Sequence, residues 1–174
     1  MALVFLLGGA RSGKSALAVD LAQASGRPVS LVATAEAGDE EMAARIAHHR
    51  AERAATWTTI EEPLDLGGTI DRVAPADCLV VDCLSLWVAN RLELEDEPEA
   101  IEQQARRAAE LVAGRSAPGI AVSNEVGLGI VPATPLGRRY RDVLGRVNAV
   151  WAAAAAEAFF VVAGRALRLE RPRA

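Results

Sequence analysis

Short apolar runs of five or six residues alternate along the chain with longer stretches in which apolar positions recur every three or four residues. That is the pattern of buried strands alternating with helices. The residues from Ala2 to Leu7 predict a strand, and Lys14 to about Ser25 a helix with Ala16, Leu17, Leu21 and Ala24 along one side, stopped by Gly26-Arg27-Pro28. Val29 to Ala33 predicts a second strand, ending at Thr34. Asp39 to about Ala54 is rich in helix formers, with Asp39 placed to cap the helix ahead of Glu40 and Glu41. Thr56 to Ile60 is short and β-prone, whereas Pro63 to Val73 is weakly helical and broken by Gly67-Gly68.

The second half repeats the alternation. Cys78 to Asp82 is an apolar run closing on a carboxylate, and Ser85 to about Arg91 and Glu99 to about Ala113 predict helices separated by an acidic loop. Gly119 to Ser123 predicts a strand, Asn124 to Pro132 a Gly-rich loop, and Leu136 to Ala156 a long helix. A strand at Phe159 to Val162 and a terminal one at Leu167 to Leu169 complete the chain. With no internal repeat or linker, the 174 residues predict a single α/β domain (1–174) with a mostly parallel sheet, right-handed crossovers and helices on both faces. Ligands collect at the carboxyl ends of the strands of such sheets. That rule gathers the residues after Leu7, Thr34, Asp82 and Asn124-Glu125 at one edge.

Composition narrows the partners. A net charge of −4 and the lack of a long basic run give no footprint for nucleic acid or an anionic membrane, which favours small-molecule chemistry. Cys78 and Cys83 flank one strand, roughly 16 Å apart if extended, too far for a disulfide. With no other cysteine and no metal-ligand spacing, a reduced, cytoplasmic setting is expected. The N-terminal apolar run lacks a basic flank and enters a turn directly, so it reads as a strand and not a signal peptide. Ala149 to Ala163 is apolar but short and interrupted by Glu157, so no membrane span is expected.

The turn after the first strand carries the most specific chemistry. Gly8-Gly9-Ala10-Arg11-Ser12-Gly13-Lys14-Ser15 matches the phosphate-loop pattern G-x-x-x-x-G-K-[ST] between a strand and a helix. Such a turn points successive backbone N–H groups at one spot, where the helix dipole also favours an anion. Gly8 and Gly13 permit close phosphate approach, Lys14 offers an ammonium to the β and γ oxygens, and Ser15 can hold Mg²⁺. The fold expected is therefore P-loop NTPase-like.

Asp82, at the end of a buried strand, can hold Mg²⁺ or accept a proton from a substrate hydroxyl; it can equally cap the helix that begins near Ser85. On a helix, Glu41, Arg45, His49 and Arg53 fall four residues apart and share one face. Read plainly, that is a solvated charged face. Read chemically, a neutral imidazole between guanidiniums is a nucleophile toward phosphorus, and the cations would lower its pKa and bind phosphate oxygens. His49 lies on the arginine face and the adjacent His48 does not.

The combination of Gly8 to Ser15, Ala33-Thr34-Ala35, Asp39 to Arg45 with Ile46 and His49, Trp57 to Glu61, Asp82 to Ser85 with Asn90, Asn124 to Pro132, Arg141-Asp142 and Gly145-Arg146-Val147-Asn148 resembles one family. It is the bifunctional adenosylcobinamide kinase/adenosylcobinamide-phosphate guanylyltransferase family, and the resemblance covers nearly the whole chain. It departs at Ala54 and Ala149, where proline and glutamine are usual. The resemblance implies that a nucleoside triphosphate, ATP or GTP, phosphorylates the aminopropanol hydroxyl of adenosylcobinamide. GTP then delivers GMP to that phosphate through a guanylylated histidine, here His49. It further implies catalytic roles for Lys14 and Asp82 and nucleotide contacts at Gly8, Gly9, Ala10, Arg11, Ser12, Gly13, Lys14, Ser15, Ala33, Thr34, Ala35, Arg50, Ala51, Glu52, Arg53, Glu61 and Asp82. Mg²⁺ would sit on Ser15 and Asp82, the corrinoid would be the substrate, and the protein would be a homo-oligomer such as a trimer. Two other classes share the phosphate loop: a small-metabolite kinase without a reactive histidine, and a nucleotide-binding switch that turns nothing over.

Overall fold

The structure, a computed structural model, describes residues 3–35 and 56–171. The expected helix from Asp39 to Ala54, with His48, His49 and Arg50 to Arg53, lies outside the described residues.

The strands are β1 (Leu3–Gly8), β2 (Val29–Ala33), β3 (Thr58–Glu61), β4 (Cys78–Asp82), β5 (Gly119–Asn124), β6 (Glu157–Val162) and β7 (Arg165–Arg168). The described helices are α1 (Lys14–Ala24), α2 (Leu66–Arg72), α3 (Leu84–Glu93), α4 (Pro98–Ala113) and α5 (Pro135–Ala154). All seven strands join one sheet in the order β3-β2-β4-β5-β1-β6-β7, parallel throughout except for the antiparallel β6–β7 hairpin. The strands of the second half thus insert between and beside those of the first, and β5 separates β1 from β4.

Alternation along the strands builds a core on each face. On one face Phe5, Val32, Leu79, Val81 and Ala121 meet the helical residues Ile70, Leu84, Trp87, Ile101, Leu144 and Trp151. On the other, Leu6, Leu31, Val80, Ile120 and Val122 meet Ala18 and Ala22 of α1. Each fully buried large side chain contributes on the order of 1.5–3 kcal/mol. On α1 the buried stripe is Lys14, Ala18 and Ala22, with Leu17 and Leu21 partly buried beside it, while Ala16 and Ala24 face solvent. The expected apolar side is therefore rotated. The smallest residues, four apart below Lys14, let the helix lie close to the sheet beneath the turn.

The other departure is at Gly67-Gly68, which the sequence reads as a break and the structure places inside α2. The Asp65 side chain caps this helix by accepting from the Gly68 N–H at 3.0 Å, and a Cβ on Gly68 would overlap that carboxylate. Burial of Leu66, Thr69 and Ile70 offsets the poor propensity.

Candidate nucleotide site

The register of the sheet sets out the edge where the candidate residues meet. Glu61, Ala33, Asp82 and Val122 stand in one row across β3, β2, β4 and β5. Gly8 stands in the next row but one, opposite Asn124 of β5 and Val161 of β6. Asp82 and the start of the turn are thus separated laterally by two strand spacings, roughly 10 Å. That gap is of the size a phosphate chain with its cation spans.

The turn from Gly8 to Ser15 is shaped by its neighbours. A Cβ on Gly8 would overlap the Val161 carbonyl oxygen and lie 2.8 Å from Ser12 Oγ, so only glycine lets the chain leave β1 against β6. Arg11 (φ 55°) and Gly13 (φ 100°) are left-handed, and Gly13 is the N-cap of α1. The turn between β6 and β7 braces the loop: the Gly164 N–H donates to the Ser12 carbonyl at 2.8 Å. On the other flank the Glu125 N–H donates to the Gly8 carbonyl at 3.1 Å. Ser12 Oγ is buried and has no hydrogen-bond partner among the described residues. Lys14 is only 8% exposed, and its ammonium donates to the Gly9 carbonyl at 2.9 Å, which holds the charge over the loop.

Thr34 is fully buried and all its polar groups are engaged. Its hydroxyl donates to the Cys83 carbonyl at 2.6 Å and accepts from the Cys83 N–H at 3.0 Å, its own N–H donates to the Asp82 carbonyl, and its carbonyl accepts from Asn90. The Asp82–Cys83 peptide is cis. Asp82 is half-buried, as is Ser15, so both present hard oxygens where a divalent cation could be held. Among the described residues no three acidic, His or Cys side chains cluster to form a self-sufficient metal site. The donors present suit Mg²⁺, which takes one or two protein oxygens and completes its shell with phosphate and water.

Burial pushes the Cys83 thiol up, and the charge of Asp82 adds to this while that of Lys14 opposes it. Cys83 thus lies within the field of both groups. It is free, as is Cys78, and both are buried.

Behind the edge, a polar network that sequence reasoning did not assemble joins the sheet to two helices. Asn124 Nδ2 donates to Ser85 Oγ (2.9 Å), Ser123 Oγ donates to Asn148 Oδ1 (2.6 Å), Asn148 Nδ2 donates to the Asn124 carbonyl (3.1 Å), and Tyr140 Oη donates to the Ser85 carbonyl (3.2 Å). Ser123 and Tyr140 carried no signal, because a serine ending an apolar run and an aromatic on a helix read as ordinary core. Of the expected contacts, the structure brings together Gly8 to Ser15, Ala33 to Ala35, Glu61 and Asp82 at one sheet edge. Arg50, Ala51, Glu52, Arg53 and His49 lie outside the described residues.

A parallel sheet with a Gly-rich phosphate turn after β1 and an acid closing β4 defines a P-loop NTPase-like nucleotide-binding protein. The fold is shared with the crystal structure of the RadB recombinase at a TM-score of 0.50 and 16% identity, covering 91% of this chain and 73% of that one. More narrowly, the chain belongs to the cobinamide kinase / cobinamide phosphate guanyltransferase family, CobU, whose model matches residues 4–169. It is 48% identical to the bifunctional adenosylcobalamin biosynthesis protein CobP of Pseudomonas aeruginosa, over 95% of each chain. It is 39% and 37% identical to the bifunctional adenosylcobalamin biosynthesis proteins CobU of Salmonella typhimurium and Escherichia coli, over 97% of this chain and 99% of theirs. No helix among the described residues is long and apolar enough to cross a membrane.

Proposed function

We propose that this protein phosphorylates adenosylcobinamide with ATP or GTP and then transfers GMP from GTP to adenosylcobinamide phosphate. The observation that carries the reading is the placement of the phosphate turn and Asp82 at one sheet edge, in a chain matched to its family over almost its whole length.

In the first reaction the aminopropanol oxygen attacks the γ-phosphorus, the bond to the bridging oxygen breaks, and the nucleoside diphosphate leaves. The N–H groups of the turn and the Lys14 ammonium hold the phosphates, and Asp82 orients the hydroxyl or takes its proton. Ser15 and Asp82 would hold Mg²⁺, which supplies charge neutralisation when bound.

In the second reaction a neutral His49 nitrogen attacks the α-phosphorus of GTP, forming a P–N bond as pyrophosphate departs. A phosphate oxygen of the acceptor then attacks the same phosphorus, the P–N bond breaks, and the imidazole is restored with adenosyl-GDP-cobinamide as product. Arg45 and Arg53, four residues to either side of His49, favour the neutral imidazole and bind phosphate oxygens. Arg50 to Arg53, Ala33, Ala35 and Glu61 complete the nucleotide contacts. Thr34 acts by positioning Cys83 and the end of β4, since its hydroxyl is committed to that backbone. The protein works as a homo-oligomer, such as a trimer, in the cytoplasm.

The test is product formation from cobinamide with γ-labelled ATP or GTP, followed by α-labelled GTP. Labelled cobinamide phosphate and then GDP-cobinamide support the reading. Nucleotide binding without either product would reduce the protein to a switch, and the first product without the second would reduce it to a kinase.

A further inference from the structure

We propose that the groove between the loop after β5 and the exposed face of α5 seats the corrin ring of the acceptor. The inference rests on the reading of cobinamide as acceptor and adds where on this chain it is held. The groove has a volume of about 610 Å³ and is lined by Gly127, Arg141, Asp142, Gly145, Arg146 and Ala149. None of these residues takes part in the phosphate turn or the polar network behind it.

Gly145 is the first pointer. A glycine in the middle of a 20-residue helix costs roughly 0.5–1 kcal/mol relative to alanine. A Cβ there would meet no atom of the described residues within 4 Å, so packing within the described fold gives no reason for it. Close approach of an external group does. Beside it Ala149, one turn further on, keeps the floor of the groove low.

The rim fits an amide-fringed ring with apolar faces. Arg141 and Arg146 offer guanidinium donors and Asp142 an acceptor, matching side chains that both accept and donate hydrogen bonds. Arg141 pairs with the adjacent Asp142 (Nε to Oδ1 2.9 Å). The neighbouring loop exposes Leu128 at 81% and Ile130 at 97%, together with Val131 and, at the start of α5, Leu136. Four exposed large apolar side chains fall within nine residues of the segment that borders the groove, and such exposure is a mark of binding surfaces.

Position completes the argument. Gly127 lies two residues, roughly 7 Å of chain, beyond Glu125, whose N–H bonds the Gly8 carbonyl at 3.1 Å, so one end of the groove opens near the first residue of the phosphate turn. A ring seated there can extend its aminopropanol arm toward the nucleotide.

The experiment compares wild type, Gly145→Leu and Ile130→Ser in steady-state kinetics with cobinamide at saturating nucleotide, alongside equilibrium nucleotide binding and sedimentation. The expected result is a KM for cobinamide raised at least about 10-fold in Gly145→Leu, with unchanged nucleotide affinity, oligomeric state and thermal midpoint. Ile130→Ser should raise it less. An unchanged KM in both variants overturns the proposal. Loss of the oligomer with an unchanged KM also overturns it, and gives the face to a second copy of the chain. Should wild type itself leave cobinamide unmodified, the acceptor reading fails, and this inference with it.

Discussion

The side chain of Thr34 clasps the backbone of Cys83 from both directions, donating to its carbonyl at 2.6 Å and accepting from its N–H at 3.0 Å. The pair ties the end of β2 to the first residue after Asp82, in a site with no exposure at Thr34. A hydroxyl is the only small group that can do both, which makes Thr34→Val a sharper change than its volume suggests. The buried Cys83 N–H loses its partner, while the Cys83 carbonyl keeps the Trp87 N–H at 3.2 Å, for an expected loss of about 1–3 kcal/mol. Thr34→Ser should recover most of it. Chemical denaturation of the two variants checks this, and a Thr34→Val protein as stable as wild type would contradict it.

Gly8 and Gly9 are adjacent and should answer differently to the same substitution. A Cβ at Gly8 meets the Val161 carbonyl and Ser12 Oγ, whereas one at Gly9 meets nothing within 4 Å. Gly8→Ala should therefore lower stability by on the order of 2–4 kcal/mol and disturb nucleotide binding, while Gly9→Ala should leave stability within about 0.5 kcal/mol. Thermal midpoints decide between this and a loop indifferent to both.

Tyr140 is the sole tyrosine of the chain, so its ionisation can be followed without ambiguity by absorbance. Burial first, with the charge of Cys83 adding to it, pushes the phenol up to about 12. In the unfolded chain it ionises near pH 10. Between those values the folded protein keeps a proton that the unfolded chain has lost, so stability falls as pH rises from about 10 to about 12. Tyr140→Phe should remove that component of the pH dependence and cost about 1 kcal/mol below it, through the lost bond to the Ser85 carbonyl. A native tyrosinate transition near pH 10 would contradict the burial argument.

The fold was legible because its signals are local and repeated. Apolar runs at Val29 to Ala33 and Cys78 to Asp82 coincide with β2 and β4, and the Gly-Lys-Ser turn announces α1. The order of strands was not legible, because nothing in β5 says that it inserts between β1 and β4. Gly68 misled for a physical reason: as an isolated residue it weakens a helix, yet here it makes room for the Asp65 cap. At the site, the placement of Lys14 and Asp82 at one sheet edge was readable from motif and strand end. The brace from Gly164 to Ser12 was not, since it joins residues 152 apart through a single backbone bond.

In the proposed mechanism Lys14 and Asp82 serve both reactions, so their variants should lose both. Lys14→Ala should reduce phosphorylation and guanylyl transfer by about 10²-fold or more, as removal of a preorganised charge stabiliser does. Asp82→Asn keeps the shape and removes the charge, and it should depress kcat more than nucleotide affinity. Parallel assays of the two half-reactions check this. Full kinase activity in Lys14→Ala would place the phosphates elsewhere.

In the proposed mechanism one chain phosphorylates cobinamide without a covalent carrier and guanylylates it by way of His49. Intact-mass measurement after incubation with GTP tests it most directly, on wild type and on His49→Ala. The expected result is an added GMP on wild type, labile to acid and stable to base, that is absent from His49→Ala while phosphorylation of cobinamide persists in that variant. An adduct that survives in His49→Ala, or a wild-type chain that makes GDP-cobinamide yet never carries GMP, would contradict it.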